Sequence, residues 1–139
     1  MNAVDTNVFI YALDDNEPVK QAKARELLDH LVSDSSATQL HWQVAGEILS
    51  CLRRWESAGL ITREDVESHF KDVLAMFPLC TPSAKVFPLS FELRSHFSLS
   101  HWDSMLLAAC QESGATTLYS EDMGDGTNYG GVRVVNPFA

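Results

Sequence analysis

Short apolar runs alternate along the chain with longer stretches in which apolar residues recur at helical spacing. Residues 1–4 read as a short buried strand, and residues 7–13 as a brief helical turn. Residues 18–31 form a helix, with Pro18 suited to its first turn and Val19, Ala22, Leu27 and Leu31 marking an inner face. A second strand follows at 37–40. A strongly amphipathic helix then covers 44–58 and ends at Gly59. Thr62-Arg63-Glu64-Asp65 has the form of a capping box and opens a helix through Met76. A third strand is expected at 79–81, helices at 84–96 and 101–113, and strands at 116–119 and 132–135. A turn-rich loop lies at 121–131. Strand and helix alternate throughout. The pattern therefore predicts an α/β fold with a mainly parallel sheet and helices on both faces.

The 139 residues suit a single domain spanning 1–139 and can bury a core of useful size. No apolar stretch is long enough for a membrane span, and the start of the chain has neither a basic nor a long apolar segment. A cytoplasmic protein is expected. Cys51, Cys80 and Cys110 are scattered, without metal-site spacing, and read as reduced core thiols. The net charge of −9 argues against nucleic-acid binding by bulk positive charge. It suits a protein that holds divalent cations or meets a basic partner.

Four acids stand out against this frame. In open parallel sheets, ligands bind beyond the carboxyl ends of the strands. Asp5 follows the first strand directly, and Asp122 follows the 116–119 strand after Ser120 and Glu121, so both belong to one rim. Glu47 falls beside the apolar arc of its helix, with Arg54 about two turns on along nearly the same line. Asp103 lies in the first turn of its helix, in the midst of an apolar face marked by Leu106, Leu107 and Cys110. An unpaired carboxylate there is costly. Each acid also has an ordinary role open to it: a turn cap for Asp5, a solvated flank for Glu47, a capping box with Ser100 for Asp103, a turn former for Asp122. Two acids on one rim and a third on an apolar face favour a shared site. Clustered carboxylates raise one another's pKa unless a cation is present, and oxygen ligands suit Mg²⁺ or Mn²⁺ rather than zinc.

The glycine-rich stretch 123–131 precedes a strand, so it is a turn rather than a phosphate loop, with Asp125 placed where it reaches toward the same site. Trp42 and Trp102 read as core aromatics, with His41 and His101 near the surface. Lys23, Arg53 and Arg54 are candidates for phosphate contacts among otherwise solvated basic residues.

Val4-Asp5-Thr6-Asn7-Val8-Phe9-Ile10 resembles the opening motif of PIN-domain nucleases. Glu47 within Val44-Ala45-Gly46-Glu47-Ile48-Leu49 is similar to that family's second acid. Asp103 in His101-Trp102-Asp103-Ser104-Met105 resembles the third, and Asp122 in Leu118-Tyr119-Ser120-Glu121-Asp122-Met123 the fourth. Glu121 and Asp125 stand close enough to compete with Asp122 for the last role. The resemblance spans nearly the whole chain and implies a three-layer α/β/α sandwich. It also implies an acid cluster binding Mg²⁺ or Mn²⁺ and hydrolysis of RNA by a metal-activated water. Thr6 and Asn7 would then support Asp5, and Ser120 the Asp122 turn. A PIN domain without an appended module resembles the VapC-type toxins of VapBC toxin–antitoxin pairs, which implies a homodimer silenced by a small antitoxin. A housekeeping RNA-processing nuclease and an inactive binding scaffold share the fold; the presence of all four acids favours an active enzyme. Haloacid dehalogenase phosphatases require an Asp where Asn7 stands. Receiver domains require early paired acids and a late lysine.

Overall fold

The computed structural model describes residues 1–139. In chain order the elements are β1 (Asn2–Val4), α1 (Thr6–Leu13), α2 (Pro18–Val32), β2 (Thr38–His41), α3 (Trp42–Ser57), α4 (Arg63–Met76), β3 (Leu79–Cys80), α5 (Val86–His96), α6 (His101–Ser113), β4 (Thr117–Tyr119), β5 (Asn128–Tyr129) and β6 (Val132–Val135), with a 3-10 turn at Ser35–Ala37 before β2. The sheet order is β3-β2-β1-β4-β6-β5. All pairings are parallel except β5 with β6. Helices α1 to α4 pack on one another in sequence-adjacent groups, and α5 packs on α6. The expected α/β/α architecture is the one observed.

Local chemistry explains the boundaries. Asp5 is extended, with φ −76° and ψ 161°, and caps α1. Thr62 and Asp65 complete the reciprocal capping box of α4. Gly114, at φ 81°, closes α6 in the left-handed region. The core is continuous. Phe9, Leu40, Ile48, Leu52, Leu106, Leu107 and Leu118 are fully buried, joining helices from both groups to the central strands.

Four expectations are corrected. Of the residues expected on the inner face of α2, Val19 and Ala22 are exposed, and the buried face is formed by Ala24, Leu28 and Leu31. The 121–131 stretch is not wholly loop, because Asn128 and Tyr129 pair with Arg133 and Val132 in a hairpin. Gly130 and Gly131 make its two-residue turn at φ 59° and 98°, conformations that side chains resist. Cys80 is half-exposed, while Cys51 and Cys110 are buried as expected. The His-Trp pairs are largely reversed. His41 is buried, whereas Trp42 and Trp102 are 59% and 62% exposed; only His101 lies at the surface as expected.

Candidate active site

β1 is central in the sheet and carries Asp5 at its carboxyl end, where the backbone N–H of Asp5 donates to Tyr119 O of β4 at 2.9 Å. This places the Asp5 carboxyl under the rim, only 6% exposed. One oxygen accepts from the Thr6 N–H and the other from the Ser120 hydroxyl, both at 2.7 Å. Burial nevertheless pushes its pKa up to about 6. The two hydrogen bonds act against that rise, and the charges of Asp122 and Glu47 add to it.

The other three acids are arranged around this buried one. Asp122, exposed just past β4, accepts from Asn7 Nδ2 at 3.1 Å, and its own N–H donates to Ser120 Oγ at 3.1 Å. Ser120 is thus a junction between Asp5 and the Asp122 turn. Glu47, on α3, accepts from the Thr6 hydroxyl at 3.0 Å and from Gln43 Nε2 at 2.9 Å. Asp103 is half-buried in the first turn of α6, where its N–H donates to the Ser100 hydroxyl at 3.2 Å. Its pKa is raised by burial and then by Asp122 and Glu47, with the Ser100 hydroxyl opposing. Four segments far apart in sequence therefore bring their carboxyls within one electrostatic field. None of the four takes part in an ion pair.

The neighbouring acids are committed elsewhere. Glu121 turns away to accept from Tyr11 Oη at 2.6 Å and from Lys20 Nζ at 3.1 Å. Asp125 accepts from the backbone N–H of Asn136 at 2.8 Å rather than reaching the cluster. Thr6 and Asn7 are tied to Glu47 and Asp122, not only to Asp5. A cavity of about 410 Å³ runs between α1 and α3, with Asp122 and Glu47 at its wall and Arg54 also lining it. Arg53 lines the adjoining surface of α3, and Lys23 is exposed on α2 outside the cavity. Gln43, absent from the sequence reading, holds both Glu47 and the carbonyl of Trp102, the latter at 3.1 Å. Its position four residues before Glu47 on the same helix was the available signal.

The donor set suits a hard divalent cation in kind. It is all oxygen, its charge is uncompensated, and Asn7 Oδ1 is buried without a hydrogen-bond partner. The side chains are not gathered into a closed cage, since no three His, Cys, Asp or Glu groups converge on one point. Such openness fits Mg²⁺, which usually keeps several waters and binds through one or two carboxylates plus substrate.

Residues 3–124 match the family model described as PIN domain. A comparison with curated proteins gives no match. Among solved structures, the chain is similar to VapBC2 from Rickettsia felis bound to a DNA fragment from its promoter, at 15% identity over 96% of each chain with a TM-score of 0.72. It is similar to a toxin–antitoxin complex from Klebsiella pneumoniae at 18% identity, covering 99% of this chain and 98% of that one, with a TM-score of 0.72. It is also similar to VapC20 of Mycobacterium tuberculosis, a sarcin-ricin loop cleaving toxin, at 14% identity over 88% and 90% of the two chains with a TM-score of 0.64. At these identities the likeness is one of fold. With the family model covering most of the sequence and the acids gathered at the rim of the expected sheet, the chain belongs to the PIN domain family.

Proposed function

We propose that this protein is a metal-dependent ribonuclease, the toxin of a type II toxin–antitoxin pair, with Asp5, Glu47, Asp103 and Asp122 as its catalytic acids. The observation that carries this reading is the buried Asp5 carboxyl, raised by burial and by acidic neighbours, with no lysine or arginine among the groups acting on it. A fold keeps such an arrangement at a cost in stability, and a bound cation removes the cost.

Asp5 and Asp122 would hold Mg²⁺ or Mn²⁺, with Glu47 and Asp103 completing its surroundings. When bound, the ion lowers the pKa of water and offsets charge on the phosphoryl oxygens of RNA. The chain supplies the rest. Ser120 and Thr6 fix both Asp5 oxygens, so this carboxylate cannot turn away from the rim. Asn7 and Ser120 orient the Asp122 turn. Thr6 and Gln43 hold the two Glu47 oxygens from opposite sides. Asp103, half-buried in the first turn of α6, is held there by the Ser100 cap and would face the ion from the side of that helix. Arg54 stands along the cavity wall, where a phosphate of the RNA backbone would meet it.

The partners follow from the same charge. An exposed acidic rim on a chain of net charge −9 suits an antitoxin that brings a basic side chain. The folds of VapBC2 and of the Klebsiella complex, each solved as a toxin–antitoxin assembly, support that partner. The proposed toxin acts as a homodimer. No helix is long and apolar enough to cross a membrane.

The test is incubation of the partner-free protein with a labelled mixed RNA pool, in Mg²⁺ or Mn²⁺ and in EDTA, beside Asp5→Asn. Metal-dependent cleavage that the variant loses is the expected result. Intact RNA in every lane, with no metal binding by calorimetry, overturns the reading.

A further inference from the structure

Trp42 opens α3 and Trp102 stands in the first turn of α6, and both indoles are exposed. Exposed tryptophan is uncommon, and these two line the same groove of about 390 Å³ beside Glu47. That groove shares Glu47 and Ser50 with the acid-lined cavity, so the two are continuous. Gln43 joins them physically. Its amide nitrogen donates to Glu47 Oε1 and to Trp102 O, while its own carbonyl oxygen makes no bond within the chain and is left as an acceptor in the groove.

Gly46 makes the arrangement harder to dismiss as chance. It lies in the interior of α3, one turn beyond Trp42, where glycine destabilises a helix relative to alanine. A Cβ built there meets nothing within 4 Å, so internal packing does not demand glycine. The consequence of its missing side chain falls on the groove, which Gly46 lines between the tryptophan and Ser50. The groove contains no lysine or arginine, and its one charge is negative. A phosphate is therefore a poor occupant, whereas a flat neutral ring with polar edges fits.

We propose that Trp42 and Trp102 clamp an unstacked nucleobase next to the phosphodiester that the acids cleave, with Gln43 reading that base's edge and Gly46 leaving room for it. The clamp rests on the nuclease reading and adds to it the side chains that would hold one base beside the cut. Aromatic stacking of this kind binds bases with little sequence preference, and a single amide acceptor adds a bias toward bases with an amino edge.

Short 2′-O-methyl oligonucleotides, which resist cleavage, are titrated against the full-length protein while tryptophan fluorescence is followed. The wild type should show quenching on binding. Trp42→Ala and Trp102→Ala should each weaken binding about tenfold, with the phenylalanine variants keeping most of the affinity. Replacing one nucleotide beside the cut with an abasic residue should cost the wild type a similar factor and cost the alanine variants little more. Gly46→Ala supplies a control for folding: it should raise the thermal midpoint, while Gly46→Leu fills the groove and weakens oligonucleotide binding. Unchanged affinity in both alanine variants, with the wild type still cutting RNA, overturns the clamp and leaves the nuclease standing. If those variants instead convert a dimer to a monomer without altering oligonucleotide affinity, the tryptophans serve a protein interface and the clamp is wrong. A wild type that neither binds nor cuts RNA removes both readings together.

Discussion

Asp5 and Glu121 sit close together at the sheet rim, on either side of Ser120, and are treated in opposite ways. Glu121 is met by Lys20 and by the Tyr11 hydroxyl, Lys20 lies 4.7 Å from the Tyr11 ring, and Phe138 packs edge-on against that ring at 5.0 Å. Its charge is answered inside the chain. Asp5 is more deeply buried and is given only neutral donors, with acids as its charged neighbours. A carboxylate balanced by its own fold contributes to architecture. One that is buried and left unbalanced is waiting for a charge from outside. The contrast also separates Asp122 from its two acidic neighbours, since Glu121 and Asp125 have partners that hold them away from the cluster.

The strongest way to break this comparison is to neutralise each acid in turn. Asp5→Asn should lower metal-dependent RNA cleavage by at least about a hundredfold, while Glu121→Gln should keep most of it; single-turnover rates on a labelled RNA decide the matter. Equal losses would mean that the two acids do not differ in role.

Next in size is a pH effect. Burial pushes His41 down to about 4, so the folded protein holds it neutral where the unfolded chain would bind a proton. That stability is fully present above the unfolded value near 6.5 and is lost as pH falls toward 4, by about 3 kcal/mol in all. Asp5 runs the other way. Its folded pKa is raised, so the penalty of its charge is present above about 6 and is relieved as pH falls toward 3.8. In the metal-free protein the two trends offset each other between about 4 and 6. Denaturant unfolding across that window should therefore be steeper in Asp5→Asn than in the wild type, with acid now destabilising. A flat profile in the variant would count against the buried histidine.

A smaller effect concerns stability at neutral pH. Without metal, Asp5→Asn should unfold about 1–2 kcal/mol later than the wild type, because a buried unbalanced charge is gone. Saturating Mg²⁺ should stabilise the wild type and not the variant, narrowing or reversing the gap. The smallest expected effect is that of Lys20→Gln, which removes the partner of Glu121 at a partly exposed site. A slight loss of thermal stability, reproduced in the wild type by high salt, is the expected outcome.

Much of the fold could be read from periodicity, because the helices and the central strands carry strong patterns over enough residues. What escaped did so for local reasons. β5 is two residues long, too short for an alternating signal, and its glycine pair looked like loop rather than hairpin. His41 and Trp42 stand where a period of two gives way to one of 3.6, so burial could not be carried across from strand to helix. Trp102 shares the helical phase of Leu106, yet its side chain stands at the rim and is left exposed while Ser104, two residues on, is fully buried. Asp5 and Asp122 were placed together by topology alone. The tie between Glu47 and the rim depends on Thr6 and Gln43, contacts that no spacing in the sequence reveals for Thr6.

The Asp122 turn hangs from β4, and β4 is secured on its outer side by β6; the Ser120 N–H donates to Val135 O at 3.0 Å. The chain emerges from the ribosome with its amino end first, so Asp5, Glu47 and Asp103 are all made before the strand that holds the fourth acid in place. An incompletely synthesised copy lacks that support. In the proposed ribonuclease, the fourth acid is thus held in place only once β6 has been made and paired with β4.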